Sequence, residues 1–407
     1  MSIDVRPVLS ALLRSRTGAV LVSLQIALTL AIAVNAVYIA ALRLERLHRP
    51  SGMDIANIFV VSSAGFTDRF NADASTSADL RYLRGLPGVI DASVMSGVPM
   101  SGNGRGEFFS TKPQGRGNGT VTNYLDADEH VIDALGLRLV AGSAFRPEDV
   151  LPPQAPGSET MVPKLIVTRA WAEKMFPDGN ALGKAVYGPT DAAARITGIV
   201  EHMQGAATPP DHPEIVVLGP RRAYVSQGDS TYYFVRAVPG HRDPLMRTVE
   251  NHLAATNQDR VIEWVRPLGY FERRTKSGDR ALAVFLSGVT ALLLAVAALG
   301  IFGLATFNVT RRTKQIGIRR ALGAWRRDIM RYFMVENGLI TAAGILGGCL
   351  LALGVGYLLS TKAHLPRLDL YYLVGGTLVL WAIGQLAVWQ PARRAGAVLP
   401  AVATRTV

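Results

Sequence analysis

Residues 281–329 read ALAVFLSGVTALLLAVAALGIFGLATFNVTRRTKQIGIRRALGAWRRDI, and the change of character along this stretch decides the fold. Its first part, Ala281 to Phe307, holds no Asp, Glu, Lys or Arg. It is long enough for a bilayer-crossing helix, which needs about 20 apolar residues. Its second part opens at Arg311 and is dense in cations. A membrane helix running into a basic connection is oriented by those cations, which stay in the cytoplasm.

Working outward, three more stretches are equally free of charge: Gly18 to Ala41, Gly338 to Ser360 and Leu370 to Gln390. The first is too long for the apolar core of a cleaved signal peptide, about 7–15 residues. It also carries Gln25 and Asn35, side chains suited to a helix packed against other helices. Four retained spans are therefore expected. Three short basic segments account for the whole formal charge of +12. They are residues 1–17, residues 311–331 and residues 391–407, and all fall on the same side of such a four-span chain. This distribution marks the cytoplasmic face and places both termini inside. It is not the basic patch on a soluble face that nucleic-acid binding requires. Arg43, Arg46 and Arg49 follow the first span, but they head a segment too long for the charge rule to govern.

The long segment between the first two spans has ordinary globular composition. Asn57 to Ser62 reads as a strand, Ala78 to Leu86 as a helix stopped by Pro87 and Gly88, and Val89 to Val98 as a strand. The order returns with a strand at Thr231 to Val238, a helix at Pro244 to Ala255 and a strand at Val261 to Val265. The middle section contributes a strand at Leu165 to Val167, a helix at Arg169 to Phe176 and a strand at Arg195 to His202. Leu268 to Arg280 reads as helix running straight into the second span. The expected class is thus an α+β membrane protein with four transmembrane helices and a large extracytoplasmic α/β domain of two lobes. In residue terms there is a cytoplasmic amphipathic segment at 1–17 and spans at 18–41, 281–307, 338–360 and 370–390. The extracytoplasmic domain occupies 42–280, with an inserted lobe at about 102–225. A basic cytoplasmic connection lies at 308–337, a short outer loop at 361–369 and a cytoplasmic tail at 391–407. Val5 to Arg16 reads as an amphipathic helix at the membrane interface.

Enzymatic signatures are weak. Gly179 to Ala185 resembles a phosphate loop, but its glycines are one residue too close and no Ser or Thr follows the lysine, so it reads as a turn. Gly102, Gly104 and Gly106 lack a strand-to-helix context and read as a loop or hairpin. The 7 histidines show no metal-ligand spacing, and no Gly-x-Ser-x-Gly elbow occurs. The one cysteine, Cys349, lies inside the third span and has no intramolecular partner. The spans themselves lack a charged residue that would mark an ion path. Glu336 sits just before the third span, where it reads as a first-turn acid favoured by the helix dipole. Glycines in spans three and four permit close helix packing.

The basic connection is the informative segment. Ile316, Ile318, Leu322, Trp325 and Ile329 recur at intervals that put apolar side chains on a helical face amid arginines. Two readings stand level: a segment lying on anionic lipid, and a helix docking into another protein.

At this point a resemblance enters. Arg311, Arg312, Ile316, Gly317, Arg319, Ala321, Gly323 and Ala324 match the pattern R-R-x-x-E-I-G-x-R-x-A-x-G-A, and the segment resembles the signature of the FtsX-like permease family of ABC transporters. The tail Gln390 to Ala395 is similar to that family's P-A-x-R-A ending. Leu135 to Leu137, Ala141 to Phe145, Ala172 to Pro177, Leu182 to Lys184 and Ile196 to Val200 resemble the MacB-type periplasmic core. The resemblance implies a permease of the bacterial inner membrane that acts as a dimer. It implies an ATPase-coupling segment comprising Arg311, Arg312, Gln315, Ile316, Gly317, Ile318, Arg319, Ala321, Leu322, Gly323 and Ala324. With about sixteen residues before the first span, the ATPase is expected to be a separate protein that carries the ATP and magnesium. No catalytic, cofactor or metal site is then expected on this chain. Further implied partners are membrane lipids, a periplasmic adaptor and a second permease, identical or not. Gln315 stands where the family has Glu, which favours a non-identical second permease. Efflux or export is the implied activity, with mechanotransmission or lipoprotein release as the alternative. A membrane-anchored receptor is the more distant rival, and it gives no reason for the basic motif.

Overall fold

The computed structural model describes residues 16–102, 104–153, 162–206, 214–222, 230–363 and 366–397. The amphipathic segment read at Val5 to Arg16 lies outside them, apart from Arg16, which opens the first helix. The chain divides into two compact units, one of Met1–His48 with Asp279–Val407, the other Arg49–Gly278.

The first unit is helical. Helices α1 (Arg16–His48), α6 (Leu268–Arg311), α8 (Arg326–Ala363) and α9 (Leu370–Gly396) are each long and apolar enough to cross a membrane. All four outrun the charge-free stretches. A hydropathy window registers only the apolar part of a helix, whereas Arg, Lys and Glu continue a helix readily at its ends. Helix α8 therefore starts within the basic connection rather than after it. Ile26, Leu30, Val34, Ile340, Leu380 and Val388 form the centre of the packing. Helices α1 and α8 approach closely because Gly344 and Gly348 face Ile26 and Leu30. A Cβ on Gly344 would lie 2.8 Å from Ile26 Cβ, and one on Gly348 2.9 Å from Leu30 Cβ. Polar side chains bridge the helices, as expected where apolar surface gives no preference between protein and lipid. Asn35 Nδ2 donates to Ala352 O at 3.1 Å, Ser23 Oγ to Ile340 O at 3.1 Å, and Asn337 Nδ2 to Gly384 O at 3.0 Å. Gln25 Nε2 reaches Val296 O on α6 at 2.9 Å.

The second unit is built on one continuous mixed sheet. Its strands are β1 (Ile58–Gly65), β2 (Val89–Met95), β3 (Arg105–Ser110), β4 (Gly119–Ala127), β5 (Leu139–Gly142), β6 (Lys164–Thr168), β7 (Ala185–Tyr187), β8 (Ala193–Val200), β9 (Val216–Pro220), β10 (Ser230–Ala237) and β11 (Arg260–Pro267). The order is β11-β1-β10-β2-β4-β3-β7-β8-β6-β9, with β5 on β8 and β9 returning to β4. The strands β11, β1, β10 and β2 are antiparallel. Helices α2 (Ala72–Gly85) and α5 (Arg242–Thr256) cover one of their faces, burying Leu80, Leu83, Val249 and Leu253 against Phe59, Val61 and Tyr233. Every residue of β1 is buried, because Ile58 and Val60 on its other face join a second core with Phe234 and Leu268.

The parallel pairing of β4 with β9 closes β4-β3-β7-β8-β6-β9 into a ring. Its core holds Phe109, Tyr124, Val167, Ile196 and Val217, together with Trp171 of the short helix α4 (Arg169–Met175). Helix α3 (Val131–Leu135) packs into the shared core. Ring and four-stranded part meet in one sheet through a narrow neck. Strands β2 and β4 pair only at Met95 and Ala127, and Ser96 and Asp126 exchange hydrogen bonds of 3.0 and 2.9 Å beside them.

Candidate functional site

The signature segment lies between α6 and α8. Helix α6 ends at Arg311, and α7 (Thr313–Ala321) follows after the single residue Arg312. Helix α7 stops at a turn in which Gly323 has φ of 96°, a left-handed value that glycine adopts without a Cβ penalty. Asp328 in the first turn of α8 then accepts from Trp325 N at 3.1 Å, the expected use of a carboxylate among free helix N–H groups.

The segment has an inner and an outer side. Inward, Ile316 is 4% exposed and packs in the helical core with Ile329 and Phe333, and Gly317 is buried beside it. The Arg312 guanidinium places Nη1 3.0 Å from both oxygens of Glu336 on α8. Arg320 Nη1 donates to Gly396 O of α9 at 3.0 Å. Outward lie Arg311, Gln315, Arg319, Ala321 and Gly323, all exposed, with Ala324 half-buried. Among them stand Ile318, Leu322 and Trp325, at 49, 84 and 76% exposed. Arg319 caps the ring of Tyr332 at 5.3 Å, and Arg311 that of Phe307 at 5.4 Å.

Two sequence expectations are corrected here. The five spaced apolar residues do not share a face. Ile316 and Ile329 enter the core while Ile318, Leu322 and Trp325 face out: two residues apart on α7, Ile316 and Ile318 fall on different sides of the helix, and the turn at Gly323 puts Ile329 on the next helix. Glu336 is not a first-turn residue either. Helix α8 begins ten residues earlier at Arg326, so Glu336 is well inside it and buried, at 3% exposed. Its partner Arg312 belongs to the signature, yet nothing in local spacing pairs residues this far apart.

A second cluster of ionisable groups occupies the neck of the other unit. Asp126 is 6% exposed. Burial pushes its carboxyl up to about 6, against the pull of Arg105, Tyr124 and Arg221. Arg221 Nε stands 3.9 Å away. Burial also raises the Asp128 carboxyl, which accepts from Ser93 Oγ at 2.6 Å and Arg84 Nη2 at 2.8 Å. Among the described residues no group of His, Cys, Asp and Glu is placed to hold a metal ion. The phosphate-loop lookalike is a turn: Gly179 and Gly183 have φ of 75° and 78°, and the segment leads from a helix to the short strand β7 rather than from strand to helix.

Residues 287–399 match the FtsX-like permease C-terminal family. The ABC transporter permease YvrN of Bacillus subtilis is 24% identical over 303 residues, covering 71% of this chain and 71% of its own. The macrolide export ATP-binding/permease protein MacB of Brucella abortus is 37% identical over 128 residues, which are 30% of this chain and 19% of MacB. Among solved structures, the periplasmic region of MacB from Actinobacillus actinomycetemcomitans aligns with a TM-score of 0.35 and 12% identity, covering 56% of this chain and 97% of that one.

Proposed function

The chain belongs to the FtsX-like permeases of ABC transporters by the domain it carries at residues 287–399, and from that premise we propose that it is the permease subunit of a complex powered by separate ATPase subunits. Those subunits bind the ATP and magnesium and grip the outer side of α7. Their movement passes through the membrane helices to the Arg49–Gly278 unit, in the service of efflux or export. The macrolide-export activity in the name of the MacB relative supports the direction. In this reading α7, Arg311 and both termini face the cytoplasm, and Arg49–Gly278 lies outside. A second permease, a periplasmic adaptor and membrane lipids complete the assembly.

The observation that carries the reading is the outer side of α7. Ile318, Leu322 and Trp325 are exposed in the same segment as exposed Arg311, Lys314, Arg319, Arg326 and Arg327. An apolar anchor ringed by cations suits a groove with acidic walls. Helix α6 adds a path, since it runs unbroken from Leu268, which belongs to one unit, to Arg311, which belongs to the other.

The test is recovery of the tagged chain from crosslinked native membranes, with co-purifying proteins identified and ATPase activity assayed. An ABC-type ATPase is expected with the unaltered chain and lost with Leu322→Glu. An adaptor in the same sample supports efflux, whereas a lipoprotein carrier or a hydrolase activator would replace efflux by the mechanical alternative. A chain that comes down alone after crosslinking would overturn the proposal.

A further inference from the structure

Arg312 is the single residue between α6 and α7. Its backbone, at φ −103° and ψ 12°, makes the bend between them. Its side chain turns away from the outer surface and is 19% exposed, against 4% for Glu336. One guanidinium nitrogen meets both carboxylate oxygens at 3.0 Å. A carboxylate inside a membrane helix is retained only with a partner, because its charge has no other solvation there. The bend is therefore tied to a single point on α8. From that point the packing runs on: Asn337, the next residue, donates to Gly384 O on α9 at 3.0 Å. About two and three turns further along α8, Gly344 and Gly348 sit against Ile26 and Leu30 of α1. At its other end α7 is tied by Arg320 to Gly396 O.

We infer that Arg312 and Glu336 are positioning residues that pin the α6–α7 bend onto α8, so that a load applied to the outer side of α7 enters α8 and α1 instead of flexing the bend. The signature arginines then divide by role. Arg311 and Arg319 present charge to a partner, whereas Arg312 and Arg320 hold the helix that carries them. The purpose of the pin rests on the docking reading above, but its existence does not, and the experiment below contains no ATPase.

Spin labels are placed in the full chain in nanodiscs, in a Cys349→Ser background. One pair is Lys314→Cys on α7 with Leu358→Cys on α8. The control pair is Leu358→Cys with Leu386→Cys on α9. Electron–electron distances are measured for each. Glu336→Gln is expected to broaden the α7–α8 distribution roughly two-fold and leave the control pair unchanged. R312E/E336R is expected to narrow it again. R312M/E336L, which replaces a buried pair by apolar side chains and is expected to preserve folding, should leave it broad. A distribution that stays narrow in Glu336→Gln or in R312M/E336L would overturn the pin. So would a swapped pair that remains broad, or joint broadening of both label pairs, which would make the ion pair a stabiliser of the whole bundle. Narrow wild-type distances with broad variants, in a chain that nonetheless captures no ATPase, would uphold the pin and sink only the docking reading.

Discussion

Arg260 on β11 grips Asp79 on α2 with both side chains out of solvent: Nη2 lies 3.0 Å from Oδ1, Nη1 meets Oδ2, and their exposures are 0% and 4%. The Tyr233 hydroxyl donates to the same carboxylate at 2.7 Å. Asp79→Ala leaves a guanidinium and a hydroxyl buried without their acceptor, and is expected to cost about 3–5 kcal/mol in the Arg49–Gly278 unit. Tyr233→Phe removes one neutral donor and is expected to cost about 1 kcal/mol. Hydrogen exchange of β1 and β11 in the full chain measures both. Equal, small losses would mean that the pair carries little.

Asp126 predicts a pH dependence of definite sign. Its carboxyl is raised from 3.8 to about 6 in the fold, so the folded state holds the proton more tightly than the unfolded chain. The stability tied to that proton is complete below the unfolded value and is lost as pH rises through about 6. Exchange protection around β4 and β9 is expected to fall between pH 4 and 7, and Asp126→Asn to flatten that fall. A variant with the unaltered slope would assign it to another group.

The signature segment should yield two phenotypes. Leu322→Glu and Ala321→Glu change exposed positions and are expected to alter stability by less than about 0.5 kcal/mol while abolishing capture of the ATPase. Ile316→Ala empties a core position and is expected to cost about 2–5 kcal/mol. Thermal unfolding and co-purification of the same variants separate them. Gly317 is a poor choice for such a test, since a side chain there disturbs packing and docking together.

Gly348→Ala should loosen α1 from α8. The new methyl would stand 2.9 Å from Leu30 Cβ and 3.0 Å from Ala27 O. Backbone is among those neighbours, so the helices must part, at about 1–3 kcal/mol. Lower thermal stability in detergent is expected, and an unchanged melting temperature would show that the helices separate freely.

Orientation is open to a direct check. A reporter fused after Gly102 should report from outside and one at Trp325 from inside. The reverse would overturn the charge argument.

The membrane helices were legible because a bilayer imposes a composition that neighbouring residues must share. Their ends were less so, because Arg326 to Arg331 look like a loop by charge and are helix by propensity. In the other unit, local strand–helix–strand order could be read from β1, α2 and β2 and from β10, α5 and β11. The ring could not. It depends on Asn123 to Ala127 meeting Val216 to Pro220, and a pairing so distant leaves no periodic trace. The same holds at the candidate site. The motif located α7, but which of its sides turns inward depends on Glu336 and Gly396, the partners of Arg312 and Arg320, which lie beyond the motif.

Closing β4 onto β9 also limits how the ring meets other molecules. With β3 on one side and β9 on the other, the backbone of β4 at Asn123 and Tyr124 is already paired, so an extended peptide finds no template there for β-strand addition. Edges with a strand on one side only remain at β11 and β5, and β11 ends at Pro267, which has no N–H to offer. Recognition at that closure is thereby left to side chains and loops, whose identity can change without disturbing the hydrogen bonds that hold β4 to β9.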